Sequence, residues 1–393
     1  MNRRKKYKKS SADDLYVNLD DTYAARGGID HILLFITLCL VAIGVVMVYS
    51  SSNMLSYRLH NENAYHYLVV QLAACLLGLV GMIAVSYIPY RLYDRFAKLI
   101  LLLSIIGLVL VFTPLGHSVY SSGGKEFQRW LQIRGVQFQP VEVAKLALVI
   151  YVCQLLTRKQ HQIHRLSRGV LPSTFILMIV FVLLYLQPDF GSALLLSAVV
   201  LVLLFVGGAR PSQIILLVGI AGCLLYFSIK DDVYKMQRLT DFVESLRSPY
   251  GTNYQVTRSL GALALGGAFG TGIGSSIYKL SDLPYPHTDF IFAVLGEELG
   301  FAGAVTLTAL FMLLIWRGVH IALNVRNGFA VLLAVGITTA IGLQAFVNIG
   351  VVIGILPTKG ITLPFISYGG SSLLMSLLSV GILLNISREM NVK

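Results

Sequence analysis

Long apolar runs dominate this chain and restrict what it can fold into. Crossing a bilayer as a helix takes about 17–25 mostly apolar residues. Charged residues make up only 13% of the sequence, whereas soluble domains carry about 25%. Runs of spanning length lie near 29–51, 66–88, 95–114, 141–157, 170–186, 190–208, 212–229, 288–316, 328–352 and 366–387. We predict an all-α polytopic membrane protein with ten transmembrane helices.

The basic residues indicate how these helices are oriented. Loops on the cytoplasmic side of membrane proteins are enriched in Lys and Arg. Residues 1–28 begin NRRKKYKK and are predicted to be a disordered, basic cytoplasmic tail, and residues 388–393 a cytoplasmic C-terminus. Between them, residues 29–387 form the membrane domain, with an N-in, C-in topology. The cytoplasmic loops of this topology hold Arg91, Arg95, Lys98, Arg158, Lys159, Arg165, Arg168, Arg210, Arg317 and Arg326.

Charge and cysteine content exclude several function classes. The net charge of +12 fits the cytoplasmic bias, so no nucleic-acid partner is predicted. The first apolar run is too long for a signal peptide and lacks a cleavage site. The cysteines lie in apolar runs without CxxC or Cys/His spacing, which argues against disulfides and zinc. They are Cys39, Cys75, Cys153 and Cys223.

Three long segments on the outer side, 115–140, 230–287 and 353–365, contain basic residues that this bias does not explain. A bound anion is the simplest explanation. The residues, taken with one in the following helix, are Lys125, Arg129, Arg134, Lys145, Arg238, Arg258 and Lys359.

The large outer loop 230–287, between the seventh and eighth predicted spans, has recognisable local patterns. Residues 256–267 have the spacing of a short amphipathic helix. A glycine run from Gly266 to Gly274 follows and predicts a tight turn or close backbone approach. As a phosphate-binding loop the run is weak, because no GK[ST] or strand–loop–helix context accompanies it.

The stretch LPYPHTDFIFAVLGEELG, residues 283–300, has the strongest functional signal. Carboxylates in a membrane-length segment are costly and are therefore functional candidates. Asp289 lies where the eighth span meets the outer surface, and it is the best candidate for chemistry. Alternatively, Thr288 or Asp289 is an ordinary helix N-cap. Glu297 and Glu298 point away from Asp289 on a regular helix and are predicted to be structural.

Three other constellations flank the predicted spans. Glu142 and Lys145 are spaced i, i+3 behind Pro140, so they form either a first-turn ion pair or a polar face that offers Lys145 to a phosphate. Asp189 follows a short turn and is predicted to cap the next helix. Residues 354–372 are rich in Pro, Gly and Ser, and such a broken segment is predicted to line a site.

These motifs resemble the SEDS family of FtsW/RodA/SpoVE-type peptidoglycan glycosyltransferases. The resemblance covers nearly the whole chain after residue 28. The last matching block is more similar to the division-type FtsW and its sporulation relatives than to the elongation-type RodA. The matching blocks are RWLQIRG, QPVEVAK, QPDFGSA, the Tyr254–Gln255 pair with the glycine run, LPYPHTDFIFAVLGEELGF and LPTKGITLPFISYGGSS.

The resemblance implies polymerisation of lipid II into β-1,4 glycan strands for the division septum, in the bacterial cytoplasmic membrane. The reaction would invert configuration and release undecaprenyl pyrophosphate, with Asp289 as general base. Implied partners are lipid II, a class B penicillin-binding protein, other division proteins and membrane lipid. No cofactor is certain, and a divalent cation, Mg²⁺ or Mn²⁺, at the pyrophosphate stays open. Substrate-binding candidates are Lys145, Glu142, Arg129, Trp130, Arg238, Gln255, His287, Lys359 and Ser371.

The sequence departs from the family pattern at four positions, and two other functions are alternatives to the glycosyltransferase. Val141, Ser281, Tyr285 and Pro286 occupy positions where the family usually has other residues. A flippase or transporter for the same lipid would need charged residues along a path through the membrane, and a division scaffold would need no chemistry. Sporulation and elongation roles also stay open.

Overall fold

The computed structural model describes residues 27–59, 63–120, 126–133, 136–230, 254–281 and 283–390, with a few isolated positions between 236 and 244. All but the last two residues of the predicted basic tail lie outside this description, and so do residues 391–393.

Helices occupy the positions of all ten predicted spans, and two further helices lie in the continuously described part of the large loop, from residue 254 onward. In chain order they are α1 (His31–Leu59), α2 (His66–Tyr87), α3 (Tyr90–Leu110), α4 (Pro140–Arg158), α5 (Leu171–Leu186), α6 (Phe190–Val206), α7 (Pro211–Lys230), α8 (Tyr254–Gly266), α9 (Tyr278–Ser281), α10 (Ile291–Asn324), α11 (Gly328–Val352) and α12 (Gly370–Ser387). Short 3₁₀ and π turns, Gln160–Gln162 and Leu166–Val170, join α4 to α5.

The mostly helical membrane fold is confirmed, whereas the number of spans is not. Within the described residues, seven helices are long and apolar enough to cross a membrane. Two of the other three predicted spans fall short for physical reasons. Helix α6 is only 17 residues long, and α3 carries Arg91, Asp94, Arg95 and Lys98 near its start. Ten spans and the N-in, C-in topology therefore remain predictions.

A small β-sheet corrects the all-α prediction. Three antiparallel strands, β1 (Gly116–Tyr120), β2 (Glu126–Ile133) and β3 (Val136–Phe138), lie between α3 and α4. Residues 131–133 and 136–138 each alternate between apolar and polar types, and Leu131 is buried while Gln132 is exposed. This period of two is the strand pattern. The all-α prediction overlooked it because the segment is short and lies among much stronger helical signals.

The helical bundle has two distinguishable ends. We use "sheet end" for the end where β1–β3 and the loops 266–290 and 353–369 lie, and "termini end" for the opposite one. At the termini end, Arg317 pairs with Asp30 at 2.6 Å, and the Ser387 hydroxyl accepts a hydrogen bond from the Asp30 backbone N–H. These contacts join α1, α10 and α12. Because Arg317 and Ser387 lie near the ends of α10 and α12, the first residues of these two helices lie at the opposite, sheet end. The start of α4 lies there too, since the Gln139 N–H donates to the Ser371 hydroxyl.

The glycine run makes a close backbone approach to α10. A Cβ on Gly266 would lie 2.0 Å from the Gly296 carbonyl oxygen, and one on Gly270 would lie 2.1 Å from that of Glu298. The predicted amphipathic helix before the run is confirmed as α8. Gly300, with φ of 69°, breaks the regular geometry of α10. The run therefore packs α8 and its turn onto this break.

Glu297 and Glu298 are buried and fully engaged, which confirms their structural role. The Glu297 carboxylate accepts hydrogen bonds from the Ser276 hydroxyl at 2.5 Å and from the Ile277 N–H at 2.6 Å, just before α9. Glu298 pairs with Lys279 at 2.6 Å and accepts from the Ser50 hydroxyl at 2.7 Å. Together these bonds hold α9 against α10 and α1, behind the loop that leads to Asp289.

Replacing Gly270 with alanine is expected to destabilise the protein strongly. Its φ of +82° and the nearby Glu298 carbonyl combine strain with a backbone clash, and overpacking alone costs about 1–3 kcal/mol. Gly274→Ala is the matched control, because its φ is +88° with no atom within 4 Å of the added carbon. Thermal unfolding in detergent measures both. Equal losses of stability would contradict the proposed packing of the glycine run.

Candidate active site

The Asp289 carboxylate is not used to start a helix. Helix α10 begins at Ile291, and its N-cap residue is Phe290, which makes no side-chain capping bond. The alternative that Thr288 or Asp289 caps the helix is therefore wrong. The Oδ2 atom of Asp289 lies 3.1 Å from where a Cβ on Gly360 would be. Glycine at 360 thus leaves room for the carboxylate against the backbone of the 353–369 loop.

The surroundings of Asp289 give its carboxylate an unusual proton affinity. Burial raises the pKa of Asp289 to about 6. The positive charge of Arg129 lowers this pKa, and the negative charge of Asp189 raises it by a smaller amount. At neutral pH the carboxylate is ionised, yet it binds a proton more readily than an exposed aspartate does. A general base requires this combination.

The turn that leads to Asp289 is shaped by two of the residues that depart from the family pattern. Tyr285 adopts a left-handed φ of 54°, which is uncommon for a residue with a side chain. Its carbonyl accepts hydrogen bonds from the N–H groups of Thr288 and Phe290, at 3.2 and 3.4 Å. The Tyr285 side chain is exposed and Pro286 is buried. The two residues thus close a tight turn directly before the candidate base.

The broken segment before α12 is hydrogen-bonded to this turn. The Ser367 hydroxyl donates to the Thr288 carbonyl at 2.6 Å. The Tyr368 N–H donates to the His287 carbonyl at 2.9 Å. The 353–369 loop and the residues around Asp289 therefore form one hydrogen-bonded unit.

His287 lies in an aromatic cluster and is neutral near pH 7. Its ring centroid is 5.1 Å from that of Tyr67 and 5.7 Å from that of Tyr368. Burial lowers the pKa of His287 to about 4. Its Nδ1 atom is buried and has no hydrogen-bond partner in the described part of the chain. His287 can therefore offer a neutral polar group to a substrate, but not a positive charge.

Lys145 is held in place from two sides. Its Nζ atom lies 2.7 Å from Glu142 Oε2 and 2.8 Å from Gln344 Oε1. The Lys145–Glu142 pair is largely buried, with side-chain exposures of 12% and 8%. The predicted first-turn ion pair is thus present behind Pro140, the first residue of α4. Gln344 also donates to the Thr362 carbonyl at 3.0 Å, which joins Lys145 to the 353–369 loop.

Arg129 reaches from the sheet to the turn between α5 and α6. Its Nε atom donates to the Gln187 carbonyl at 3.2 Å and its Nη2 atom to the Pro188 carbonyl at 2.5 Å. Asp189 caps α6 by accepting from the Ser192 N–H at 3.2 Å, so the predicted cap is confirmed. Strand β2 and this turn therefore bring opposite charges close enough to act on Asp289.

The tip of the 353–369 loop contributes a further cation. The Lys359 Nζ atom lies 5.0 Å from the centroid of the Phe190 ring, over its face. Lys359 directly precedes Gly360, the position where an added Cβ would lie 3.1 Å from Asp289 Oδ2. The loop therefore places a cationic residue next in sequence to that position.

The other predicted binding residues differ in how they relate to this site. The Ser371 hydroxyl accepts from the Gln139 N–H at 3.1 Å, which links the starts of α12 and α4. Trp130 lies opposite His117 in the sheet, and Gln255 lies in the first turn of α8. Across the described ranges, no hydrogen bond or ring contact joins either to Asp289. Arg238, like Lys125 and Arg134, lies outside the residues that the structure describes.

The sequence-based prediction missed two amides that hold this site together. Gln344 bonds Lys145, and Asn348 donates to the Asp289 carbonyl at 2.9 Å. Both lie in the apolar helix α11, four residues apart. Polar side chains in a membrane-length helix are a recognised functional signal, so the pattern could have been noticed. Their partners could not, because they are distant in sequence.

Among the described residues, no group of three or more His, Cys, Asp or Glu side chains is arranged to hold a metal ion. The carboxylates of Asp289 and Asp189 are the acidic groups that act on each other at this site. Mg²⁺ commonly uses one or two carboxylates together with substrate phosphates.

Comparisons with known proteins point to one family. The FtsW/RodA/SpoVE family, described as "Cell cycle protein", matches residues 30–392. A relative from Geobacter metallireducens named "Probable peptidoglycan glycosyltransferase FtsW" is 40% identical over 92% of this chain and 95% of its own length. Stage V sporulation protein E of Bacillus subtilis is 37% identical over 91% of this chain and 97% of its own length.

Solved structures agree with this assignment. One chain comes from a structure described as "Structural coordination of polymerization and crosslinking by a peptidoglycan synthase complex". It superposes with a TM-score of 0.75 and 29% identity, covering 93% of this chain and 99% of that chain. The rod shape determining protein RodA of Thermus thermophilus superposes with a TM-score of 0.67 and 29% identity, covering 92% and 97%. The chain therefore belongs to the FtsW/RodA/SpoVE family.

Proposed function

We propose that the protein is a peptidoglycan glycosyltransferase that polymerises lipid II into β-1,4 glycan strands. One observation carries the proposal. A partly buried Asp289, with a pKa raised to about 6, lies in a loop unit that also holds Lys359 and is joined to Lys145. The names of relatives that are about 40% identical support the same reaction class.

Asp289 acts as the general base in this proposal. The acceptor sugar hydroxyl gives its proton to the Asp289 carboxylate while its oxygen attacks the anomeric carbon of the donor. The new C–O bond forms as the bond to the pyrophosphate oxygen breaks, and the pyrophosphate leaves with the electron pair. Configuration inverts, so no covalent glycosyl-enzyme is needed. A positioned base typically contributes about 10²–10⁴-fold to the rate.

Fixed cations stabilise the leaving undecaprenyl pyrophosphate. Charge develops on its oxygens during the reaction, and preorganised positive groups are most effective at that point. Lys145, held by Glu142 and Gln344, is the best placed, and Lys359 and Arg129 are further candidates. A divalent cation would be bound by the pyrophosphate oxygens of the substrate.

The cellular role follows from the family. We place the sheet end outside the cytoplasmic membrane, with both termini inside, so that lipid II and a class B penicillin-binding protein can meet at this site. The FtsW-named relatives favour septal wall synthesis with other division proteins, and the sporulation relative leaves that role as an alternative. Depletion in growing cells distinguishes them, because a septal enzyme is expected to produce filaments and a sporulation enzyme normal division.

The rate of polymerisation is expected to fall below about pH 6. The base must be deprotonated, so protonation of Asp289 on the acid side removes activity as the pH drops through its pKa of about 6. The pH dependence of kcat/KM for purified protein and lipid II measures this limb, since it reports the free enzyme. His287, with a pKa near 4, titrates well below it. An acid limb near 4 would contradict the assignment of Asp289.

A further inference from the structure

Helix α11 presents two amide side chains to the sheet end. Gln344 and Asn348 are four residues apart, which separates them by one helical turn, about 6 Å along the axis. Both side chains are buried. Each one bonds the backbone of the 353–369 loop, and each also reaches a different residue of the candidate site.

Asn348 joins the candidate base to the loop. Its Nδ2 atom donates to the Asp289 carbonyl at 2.9 Å and to the Ile361 carbonyl at 2.7 Å. Only the NH₂ end of the amide can serve two carbonyl oxygens. Its Oδ1 atom is buried without a partner among the described residues. A buried unsatisfied oxygen is costly, so the two donated bonds carry the reason for an amide at this position.

Gln344 joins the candidate cation to the adjacent loop residue. Its Oε1 atom accepts from Lys145 at 2.8 Å. Its Nε2 atom donates to the Thr362 carbonyl at 3.0 Å and to the Thr362 hydroxyl at 3.2 Å. The two amides therefore donate hydrogen bonds to consecutive loop residues, Ile361 and Thr362. Through these amides, a single rigid helix contacts both the residue of the candidate base and the candidate cation.

We propose that Gln344 and Asn348 are positioning residues that set the spacing between Asp289 and Lys145, and so between the acceptor hydroxyl and the leaving pyrophosphate. The inference rests on the proposed function and deepens it. Neither amide touches the reacting atoms. A rigid helix is a suitable support, because catalytic groups must stay close to the productive geometry.

A simpler interpretation is that the amides only satisfy broken backbone at membrane depth. That role predicts the same effect at both positions, since both bond loop carbonyls. The positioning role predicts different effects, because Asn348 acts on the base and Gln344 acts on the cation.

The first arm of the test replaces Asn348. Asn348→Ala is expected to lower kcat by about 100-fold, the effect of a misplacement near 1 Å. It should also move the acid limb of kcat/KM to lower pH, because a released Asp289 becomes better hydrated. The charges that act on Asp289, from Arg129 and Asp189, remain in the variant. Asn348→Asp has the same shape but loses the NH₂ donor, and should be at least as impaired.

The second arm replaces Gln344. Gln344→Ala is expected to weaken binding of undecaprenyl pyrophosphate about tenfold, because Lys145 loses a charge-assisted hydrogen bond. Direct titration of the product onto detergent-solubilised protein measures this without turnover. The acid limb should stay where it is in this variant. Asn348→Ala should bind the product as the wild type does.

The control is Thr338→Val on the same helix. Its hydroxyl is buried and unpartnered within the described residues, so neither the acid limb nor product binding should change. The proposal is overturned if the wild type is active but the Asn348 and Gln344 variants do not differ from each other, either in the acid limb of kcat/KM or in their affinity for undecaprenyl pyrophosphate. A wild type that makes no glycan overturns the proposed function itself, and the two failures are thus distinguishable.

Discussion

Asp289→Asn is expected to lower the rate of lipid II polymerisation by about 10²–10⁴-fold, the usual contribution of a general base. Asparagine has the shape of aspartate but cannot take up the proton of the acceptor hydroxyl. The backbone carbonyl of residue 289, which accepts from Asn348, is unchanged. The variant should therefore fold and bind substrate while losing the chemical step.

The matched control for this change is Asp94→Asn at the termini end. Asp94 faces Arg158 at 3.7 Å, and both side chains are substantially exposed. Such surface pairs contribute little, so activity should remain that of the wild type. Thermal unfolding of both variants separates a lost base from a lost fold. Asp289→Asn protein with a much lower melting temperature would attribute the loss to folding.

Lys145→Met is expected to reduce both stability and activity. It leaves Glu142 buried without its 2.7 Å partner, and breaking a buried ion pair commonly costs about 3–5 kcal/mol. It also removes the positive charge proposed to stabilise the pyrophosphate. Thermal unfolding in detergent and steady-state polymerisation measure the two effects separately.

A double variant distinguishes the structural role of Lys145 from its functional role. Combining Lys145→Met with Glu142→Gln removes the unpaired buried charge, so much of the lost stability should return. Polymerisation should not return, because the cation is still absent. Recovery of activity together with stability would show that Lys145 serves the fold alone.

Most of the helical framework could be predicted, because membrane-length apolar runs are a strong local signal. Alternatives stay open where a local rule competes with tertiary contacts. Asp289 has the residue type of an N-cap, so a cap was an open alternative to the general base. Helix α10 nevertheless begins at Ile291, because the turn at Tyr285 and its bonds to the 353–369 loop set the chain path. The sheet was missed since its alternation covers few residues.

The charged residues of the candidate site could be proposed from the sequence, whereas the side chains that hold them in place could not. Asp289, Glu142 and Lys145 stand out as carboxylates and a cation at the ends of apolar runs. The contacts that organise them are long-range. Gln344 lies 199 residues from Lys145, and Asn348 lies 59 residues from Asp289. No local pattern encodes such pairs.

Polymerisation of lipid II by the purified protein tests the central claim most directly. Wild type, Asp289→Asn and Asp94→Asn are incubated with lipid II, with and without the class B penicillin-binding protein, and glycan strands are separated by length. We expect strands from the wild type and from Asp94→Asn, and essentially none from Asp289→Asn. Transfer of labelled lipid II across liposomes is followed in parallel. Normal strands from Asp289→Asn, or lipid transfer without any polymer from the wild type, would contradict the account.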